Sequence, residues 1–360
     1  KLFDPSTIIG TYINGDGTYI GVNDLTSLTA AIQSEYDTFK TYASETVGDV
    51  FGTDTATNFA GAVVNMLTTG NDTETLTSAS EIIPTFDGTD TVSAGGGNDK
   101  IIGGNEVDTF YGQDGNDHLY GFRGNDILDG GDGNDKIVGG LGDDQISGGA
   151  GDDYILAQTG DDTISTGTGT DEVIAGLGDD AITVDGTGNK TIDGGSGTDT
   201  LVINYSGISS ITSFTDISYD SSTSTLTFTD ANGGKIYSQA IENFTVGGVT
   251  YSFVYNGYDS RTGQQINTGA SSDISNGENN RISHAFISSD GAQVKLYDPS
   301  SGATNFTIPS MSAFEGSDTW LNSALSITGS SAADMISDRG EAGSLGALTV
   351  NAGDGNDQVK

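Results

Sequence analysis

Eleven aspartates stand nine residues apart without a slip: Asp90, Asp99, Asp108, Asp117, Asp126, Asp135, Asp144, Asp153, Asp162, Asp171 and Asp180. In phase behind them come Glu81 and Asp72. Ahead, position 189 is Asn, and the next good repeat centres on Asp199, one residue late. Two positions after each Asp stands an apolar residue: Val92, Ile101, Phe110, Leu119, Leu128, Ile137, Ile146, Ile155, Ile164, Val173 and Ile182. A period of nine fits neither an amphipathic helix nor a long alternating strand. It fits a short strand joined to a tight turn, repeated. The apolar residue supplies one inward side chain, and glycine before the Asp opens turn conformations closed to other residues. Two units make one coil, because a strand must run back across the opposite face before the chain can rise. Apolar side chains from both faces then stack into a thin, continuous core.

Such a core is too thin to hold a fold alone, since one apolar side chain in nine cannot offset the ordering entropy of the rest. Stacked carboxylates also repel. The chain carries 51 acidic residues against 12 basic ones, a formal charge of −39. That balance excludes wrapping a nucleic-acid backbone and unaided docking on an anionic membrane. Asp outnumbers Glu 41 to 10 and Gly reaches 55, a bias toward turns rather than solvated helices. A hard divalent cation relieves both problems. Calcium takes about six to eight oxygens in flexible geometry, whereas magnesium demands a stricter octahedron. Transition metals favour imidazole or thiolate, and the chain has two histidines, His118 and His284, and no cysteine. No apolar run is long enough to span a membrane, and no signal-peptide pattern opens the sequence. A chain running from Lys1 to Lys360 is expected to be an excerpt or a processed piece.

The cleanest unit is Gly130-Gly131-Asp132-Gly133-Asn134-Asp135-Lys136-Ile137-Val138, followed in register by 139–147 and 148–156. These units resemble the RTX (repeats-in-toxin) nonapeptide, Gly-Gly-x-Gly-x-Asp-x-U-x with U a large apolar residue, over residues 67–201. The resemblance implies a mainly β protein built on a right-handed parallel β-roll that folds on binding calcium. It also implies export by a type I secretion system into calcium-rich medium, with each ion held between unit n and unit n+2. On that pattern one site combines Asp135 and the carbonyls of Gly131 and Gly133 with Asp153 and the carbonyls of Gly148 and Ala150. Further pairs are Asp99 with Asp117, Asp108 with Asp126, Asp117 with Asp135, Asp126 with Asp144, Asp144 with Asp162, Asp153 with Asp171 and Asp162 with Asp180. Asp90, Asp199 and Asp357 are ligand candidates on the same pattern, which gives roughly ten ions in all.

Departures from the motif are informative. Glu106 and Val107 precede Asp108 and are expected to loosen that turn. Ala157, Gln158 and Thr159 replace the leading glycines of the Asp162 unit, where carbonyl ligands survive any side-chain change. The stretch 184–192 lacks its Asp and predicts a bulge or a vacant site. His118 is read as an outward surface residue and Arg123 as a cation paired with nearby acids.

Four segments follow from this reading: an N-terminal cap with some helix over 1–69, the roll over 70–201, a β-rich, sandwich-like domain over 202–325, and the start of a second repeat block over 326–360. In the first, 7–13 and 19–22 read as strands around Asn14-Gly15-Asp16-Gly17. Leu25, Leu28, Ile32, Tyr36 and Phe39 recur at helical spacing, and a second helix is expected over 56–67. The cap is expected to cover the open end of the roll. Strands are expected at 200–205, 225–229, 235–240, 249–255 and 293–297, with a turn at 230–234 and Trp320 in the core.

Three function classes are open. One is a structural segment of a secreted cell-surface protein, an S-layer-like lattice or extracellular matrix, with self-association or other surface components as partners. The second is a calcium-rigidified segment of a large adhesin. The third is the non-catalytic module of a secreted enzyme or toxin. The chain itself is read as no enzyme. It has neither a His-Glu-x-x-His zinc motif nor a Gly-x-Ser-x-Gly nucleophile elbow.

Overall fold

The structure is a computed structural model. It describes residues 2–3, 10–13, 19–22, 63–65, 67–220, 222–255, 258–259, 285–289, 293–296, 298–299, 304–308, 325–328, 334–338, 348–351 and 358–359. The chain divides into two compact units, Lys1–Ile182 and Thr183–Lys360.

In the first unit every second nine-residue repeat returns to the same face. One face carries Val63–Asn65, Glu81–Pro84, Lys100–Ile102, His118–Arg123, Lys136–Leu141, Tyr154–Thr159 and Asp171–Leu177. The second face carries Thr73–Thr75, Thr91–Ser93, Thr109–Asp114, Ile127–Asp132, Gln145–Ala150 and Thr163–Ser165. Neighbours on each face are parallel and offset by one coil. The register lines up Ile83, Ile101, Leu119, Ile137, Ile155 and Val173 on the first face. On the second it lines up Val92, Phe110, Leu128, Ile146 and Ile164. Every one of these side chains is at most 3 % exposed. The apolar residue of each repeat is therefore the core, a parallel β-roll two side chains thick.

Leu2–Phe3 adds an antiparallel strand to Val63–Asn65. The helix expected over 56–67 is corrected here, because its last residues form a strand. Val63 and Val64 are β-branched, and they sit one coil before Glu81 and Ile82 in the parallel register. The repeat thus begins earlier than its aspartates do. Gly10–Ile13 and Tyr19–Val22 pair antiparallel, Ile13 opposite Tyr19. The helical pattern from Leu25 to Phe39 lies outside the described residues. Among those residues the one helical element is the three-residue 3-10 turn Ile211–Ser213.

The second unit opens with another coil, Lys190–Ser196 then Thr200–Ile203. Its next coil comes only after an excursion. Lys190–Ser196 pairs in parallel with Lys235–Gln239, and Thr200–Ile203 with Asn243–Val246. The hairpin Asp216–Asp220 and Thr225–Thr229 fills the interval and joins the sheet antiparallel through Lys235–Gln239. The turn at 230–234 is closed by Asp230, whose Oδ1 accepts from the Asn232 and Gly234 amides at 2.7 and 2.9 Å. Asn243–Val246 continues antiparallel through Val249–Tyr255, Ala285–Ser288 and Gln293–Leu296. Parallel pairing then resumes, with Leu325–Thr328 against Leu348–Asn351, and Thr304–Ile308, Asp334–Asp338 and Gln358–Val359 side by side. Packing here is aromatic: Phe228, Phe244 and Phe286 are fully buried, with ring centroids 5.5–5.7 Å apart.

Candidate metal centre

The repeat aspartates sit where each turn enters a strand, and the coil stacks them in two columns. Glu81, Asp99, Asp117, Asp135, Asp153 and Asp171 line one edge; Asp90, Asp108, Asp126, Asp144, Asp162 and Asp180 line the other. All are at most 3 % exposed. Each column is wired along its length. Every acid from Asp72 to Asp162 donates its backbone N–H to the Oδ1 of the Asp one coil later, at 2.7–3.0 Å. Outside the columns runs an opposed ladder. The amides of Asn116, Asn134 and Asp152 donate to the side-chain oxygens of Asn98, Asn116 and Asn134 at 2.8–3.0 Å.

Many of these carboxylates leave one oxygen over. The Oδ2 atoms of Asp90, Asp99, Asp117, Asp126, Asp135, Asp144 and Asp162 are buried with no hydrogen-bond partner. A buried oxygen in that state costs free energy unless something else satisfies it. What lies beside it is another oxygen. A Cβ built on Gly130 would fall on Asp135 Oδ2 and lie 2.6 Å from the Gly148 carbonyl. On Gly139 it would meet Asp144 Oδ2 and lie 2.8 Å from the Ala157 carbonyl. Gly112 and Gly121 repeat the arrangement with Asp117 and Asp126. In these repeats the leading glycine thus keeps open a recess lined by an anionic oxygen and a carbonyl from the next coil.

Burial dominates the electrostatics. With no counterion at hand, desolvation pushes Asp90 and Asp117 up to about 6, Asp108, Asp126, Asp135 and Asp162 to about 7, and Asp99 and Asp144 to about 8. Glu81 and Asp180 are raised for the same reason. Like-charged neighbours within a column add to several of these, as Asp126 and Asp162 do at Asp144. Carboxylates held this way either take up protons or need a cation. Among the described residues no three acidic, imidazole or thiolate side chains converge. Any ion must therefore draw on carbonyl oxygens, the donor type that calcium accepts.

Of the set expected around Asp135, the structure places the Gly148 carbonyl beside its Oδ2. Asp153 comes within reach through its Oδ1, which accepts the Asp135 amide at 2.8 Å. The Ala150 carbonyl accepts the Gly133 amide at 2.6 Å, and Gly131 stands opposite Gly149 in the strand ladder. Gly130, absent from the expected set, is the residue that leaves the recess open.

The departures also resolve. The Asp108 turn is tied rather than loosened. Glu106 accepts the Gly88 amide at 3.1 Å, and Asp108 Oδ2 accepts the Gly104 amide at 3.2 Å. Ala157 is fully buried and still offers its carbonyl toward Asp144. His118 is half-buried, edge-on to Tyr120 at 6.4 Å. Asp357 and Trp320 lie outside the described residues.

Two residues were not singled out as acid-column positions. Lys190 is fully buried two positions before Ile192, where the repeats from Asp90 to Asp180 have their Asp, so this turn carries a cation in place of a carboxylate. Glu242 accepts the Asp199 amide at 2.8 Å, the bond an Asp one coil later makes elsewhere. The signal was in the sequence. Glu242 precedes buried Phe244 by two, the acid-to-apolar spacing of the repeat.

The family model described as the RTX calcium-binding nonapeptide repeat matches residues 85–119, 102–137, 120–155, 147–182 and 184–202, about a third of the chain. These coils are RTX repeats. The chain thus contains a block of RTX repeats, a calcium-binding structural module, and this block supplies the paired oxygens just described. No curated protein matches the chain.

Proposed function

We propose that the chain is a calcium-rigidified structural segment of a secreted bacterial cell-surface protein, S-layer-like or part of an extracellular matrix, which folds and assembles as calcium binds. The observation that carries the reading is the pair of buried acid columns, in which Asp90, Asp99, Asp117, Asp126, Asp135, Asp144 and Asp162 each keep an unsatisfied oxygen. When bound, calcium supplies positive charge and a coordination sphere for these oxygens. The chain's own groups do the rest. In a low-calcium cytoplasm the carboxylates repel one another and hold the repeats extended, the state that export through a type I channel requires. Outside, their Oδ2 atoms and the carbonyls of the following coil converge, and the ordered turns bring the apolar column together. Asp153 and Gly148 close the recess begun by Asp135, and the same relation repeats along each edge, with roughly ten ions in all.

The module works by stiffness and self-association rather than catalysis. No helix of the described residues is long and apolar enough to cross a membrane. The aromatic-cored strands of the second unit are the part available for contacts with other surface components. Electron microscopy of the purified chain in calcium tests the assembly role. Ordered sheets or filaments that dissolve on chelation are expected. Monodisperse particles that bind glycans or cells would replace the lattice reading with the adhesin one. Monomers that do neither would leave an accessory module of a secreted enzyme or toxin.

A further inference from the structure

The recess beside each aspartate depends on the residue five places before it, and that residue changes along the roll. From Asp108 to Asp153 it is glycine six times running: Gly103, Gly112, Gly121, Gly130, Gly139 and Gly148. At all six a Cβ would fall against two oxygens, the Oδ2 of the aspartate five residues on and the carbonyl eighteen residues on. On Gly148 it would lie 2.7 Å from Asp153 Oδ2 and 2.7 Å from the Thr166 carbonyl. Two oxygens so near one point lie within about 5 Å of each other, the span that one calcium closes with bonds of about 2.3–2.6 Å.

Outside that run the position is filled. Thr85 and Ala94 stand five places before Asp90 and Asp99, and Ala157, Thr166 and Ala175 before Asp162, Asp171 and Asp180. All five are fully buried. A real Cβ essentially never comes within 3.0 Å of a neighbouring atom, so these repeats cannot gather their two oxygens around the same point. The Thr85 hydroxyl also donates to the Ile102 carbonyl of the next coil at 3.3 Å. Yet Asp90, Asp99 and Asp162 keep a buried Oδ2 that accepts no hydrogen bond. The need for a cation is therefore shared along the roll, while the room for one is not.

We infer that the first residue of each repeat grades its calcium site, so that the roll loads from the middle outward. The inference rests on the calcium reading proposed above and adds an order to it. The six glycine turns fill first. The turns of Asp90 and Asp99 at one end, and of Asp162, Asp171 and Asp180 at the other, fill only at higher calcium. The glycines alternate between the edges. Gly112, Gly130 and Gly148 serve Asp117, Asp135 and Asp153 in one column, and Gly103, Gly121 and Gly139 serve Asp108, Asp126 and Asp144 in the other. Both sides of the same central coils are thus braced together, and the end coils stay responsive after the middle is saturated.

Segment-resolved hydrogen exchange of the full chain, titrated with calcium, tests the order. His118–Arg123, Ile127–Asp132 and Lys136–Leu141 should become protected first. Thr91–Ser93, Lys100–Ile102 and Thr163–Ser165 should follow at about threefold or more higher calcium. Ala157→Gly opens the recess before Asp162 and should bring Thr163–Ser165 within about twofold of the central midpoint, with Thr91–Ser93 still late. Ala94→Gly, read at Lys100–Ile102, is the independent check if Ala157→Gly folds poorly. One concerted step, or protection that spreads from one end, would overturn the grading and leave calcium binding intact. So would midpoints that neither variant moves. Protection that ignores calcium altogether would remove the calcium reading and the grading with it.

Discussion

Asp135 shows how much one residue does. Its amide and one carboxylate oxygen belong to the column, bonded to Asp153 and Asp117 at 2.8 and 2.7 Å. Its second oxygen lies beside the Gly148 carbonyl and has no hydrogen-bond partner. Asp135→Asn keeps an acceptor for the Asp117 amide and removes the charge, so its effect should change sign with calcium. In chelator the variant is expected to hold more structure than the parent; in calcium it should need a higher ion concentration to fold. Asp132→Asn, at an exposed position, only relieves a repulsion on Asp135 and should shift both far less. Titrating the circular dichroism signal with calcium checks both arms, and a variant that tracks the parent in each would remove Asp135 from the ion account. Gly130→Ala is the steric counterpart. Its Cβ has no room between Asp135 Oδ2 and the Gly148 carbonyl, so thermal unfolding in calcium should show a loss of about 1–3 kcal/mol.

At the scale of the element, the two columns couple folding to protons as well as to metal. The raised values of about 6 to 8 lie above the ordinary aspartate value of about 3.9. The folded roll without a cation therefore binds more protons than the unfolded chain across this window. Its stability falls as pH rises through it, and the cost is complete above about 8. With calcium chelated, β-sheet signal should grow as pH drops from about 8 to about 5, and with calcium present it should stay level. Growth in the opposite direction would mean that the columns are not the source of the instability. In the second unit, Glu242→Ala removes the acceptor of the Asp199 amide. It should lower stability in calcium by about 1–2 kcal/mol and speed proteolysis within 204–234; unchanged cleavage there would count against the bond. The roll was legible in sequence because period, core and turn chemistry coincide in each nine residues. The excursion was not, because the hairpin from Asp216 to Thr229 breaks the count while the hydrogen bonds resume beyond it. Val63–Asn65 was misread for a related reason. Val63 fits a helical stripe locally with Phe59 and Met66, and only the register to Glu81 decides for a strand. Lys190 was hidden because a cation in an acid's place breaks the motif.

Over the whole molecule, a charge of −39 and a core one side chain deep per face leave little to hold the RTX roll unless the charge is neutralised from within. Divalent ions at the turns do this where diffuse salt cannot, because the oxygens are buried and salt screens exposed charges best. The most direct test is far-ultraviolet circular dichroism of the full chain in millimolar calcium, then in excess chelator at matched ionic strength and fixed pH near 8. β-sheet signal should be lost on chelation, return with calcium, and fail to return with the same concentration of magnesium. A spectrum that ignores calcium removal would contradict the claim that the buried aspartates are its ligands.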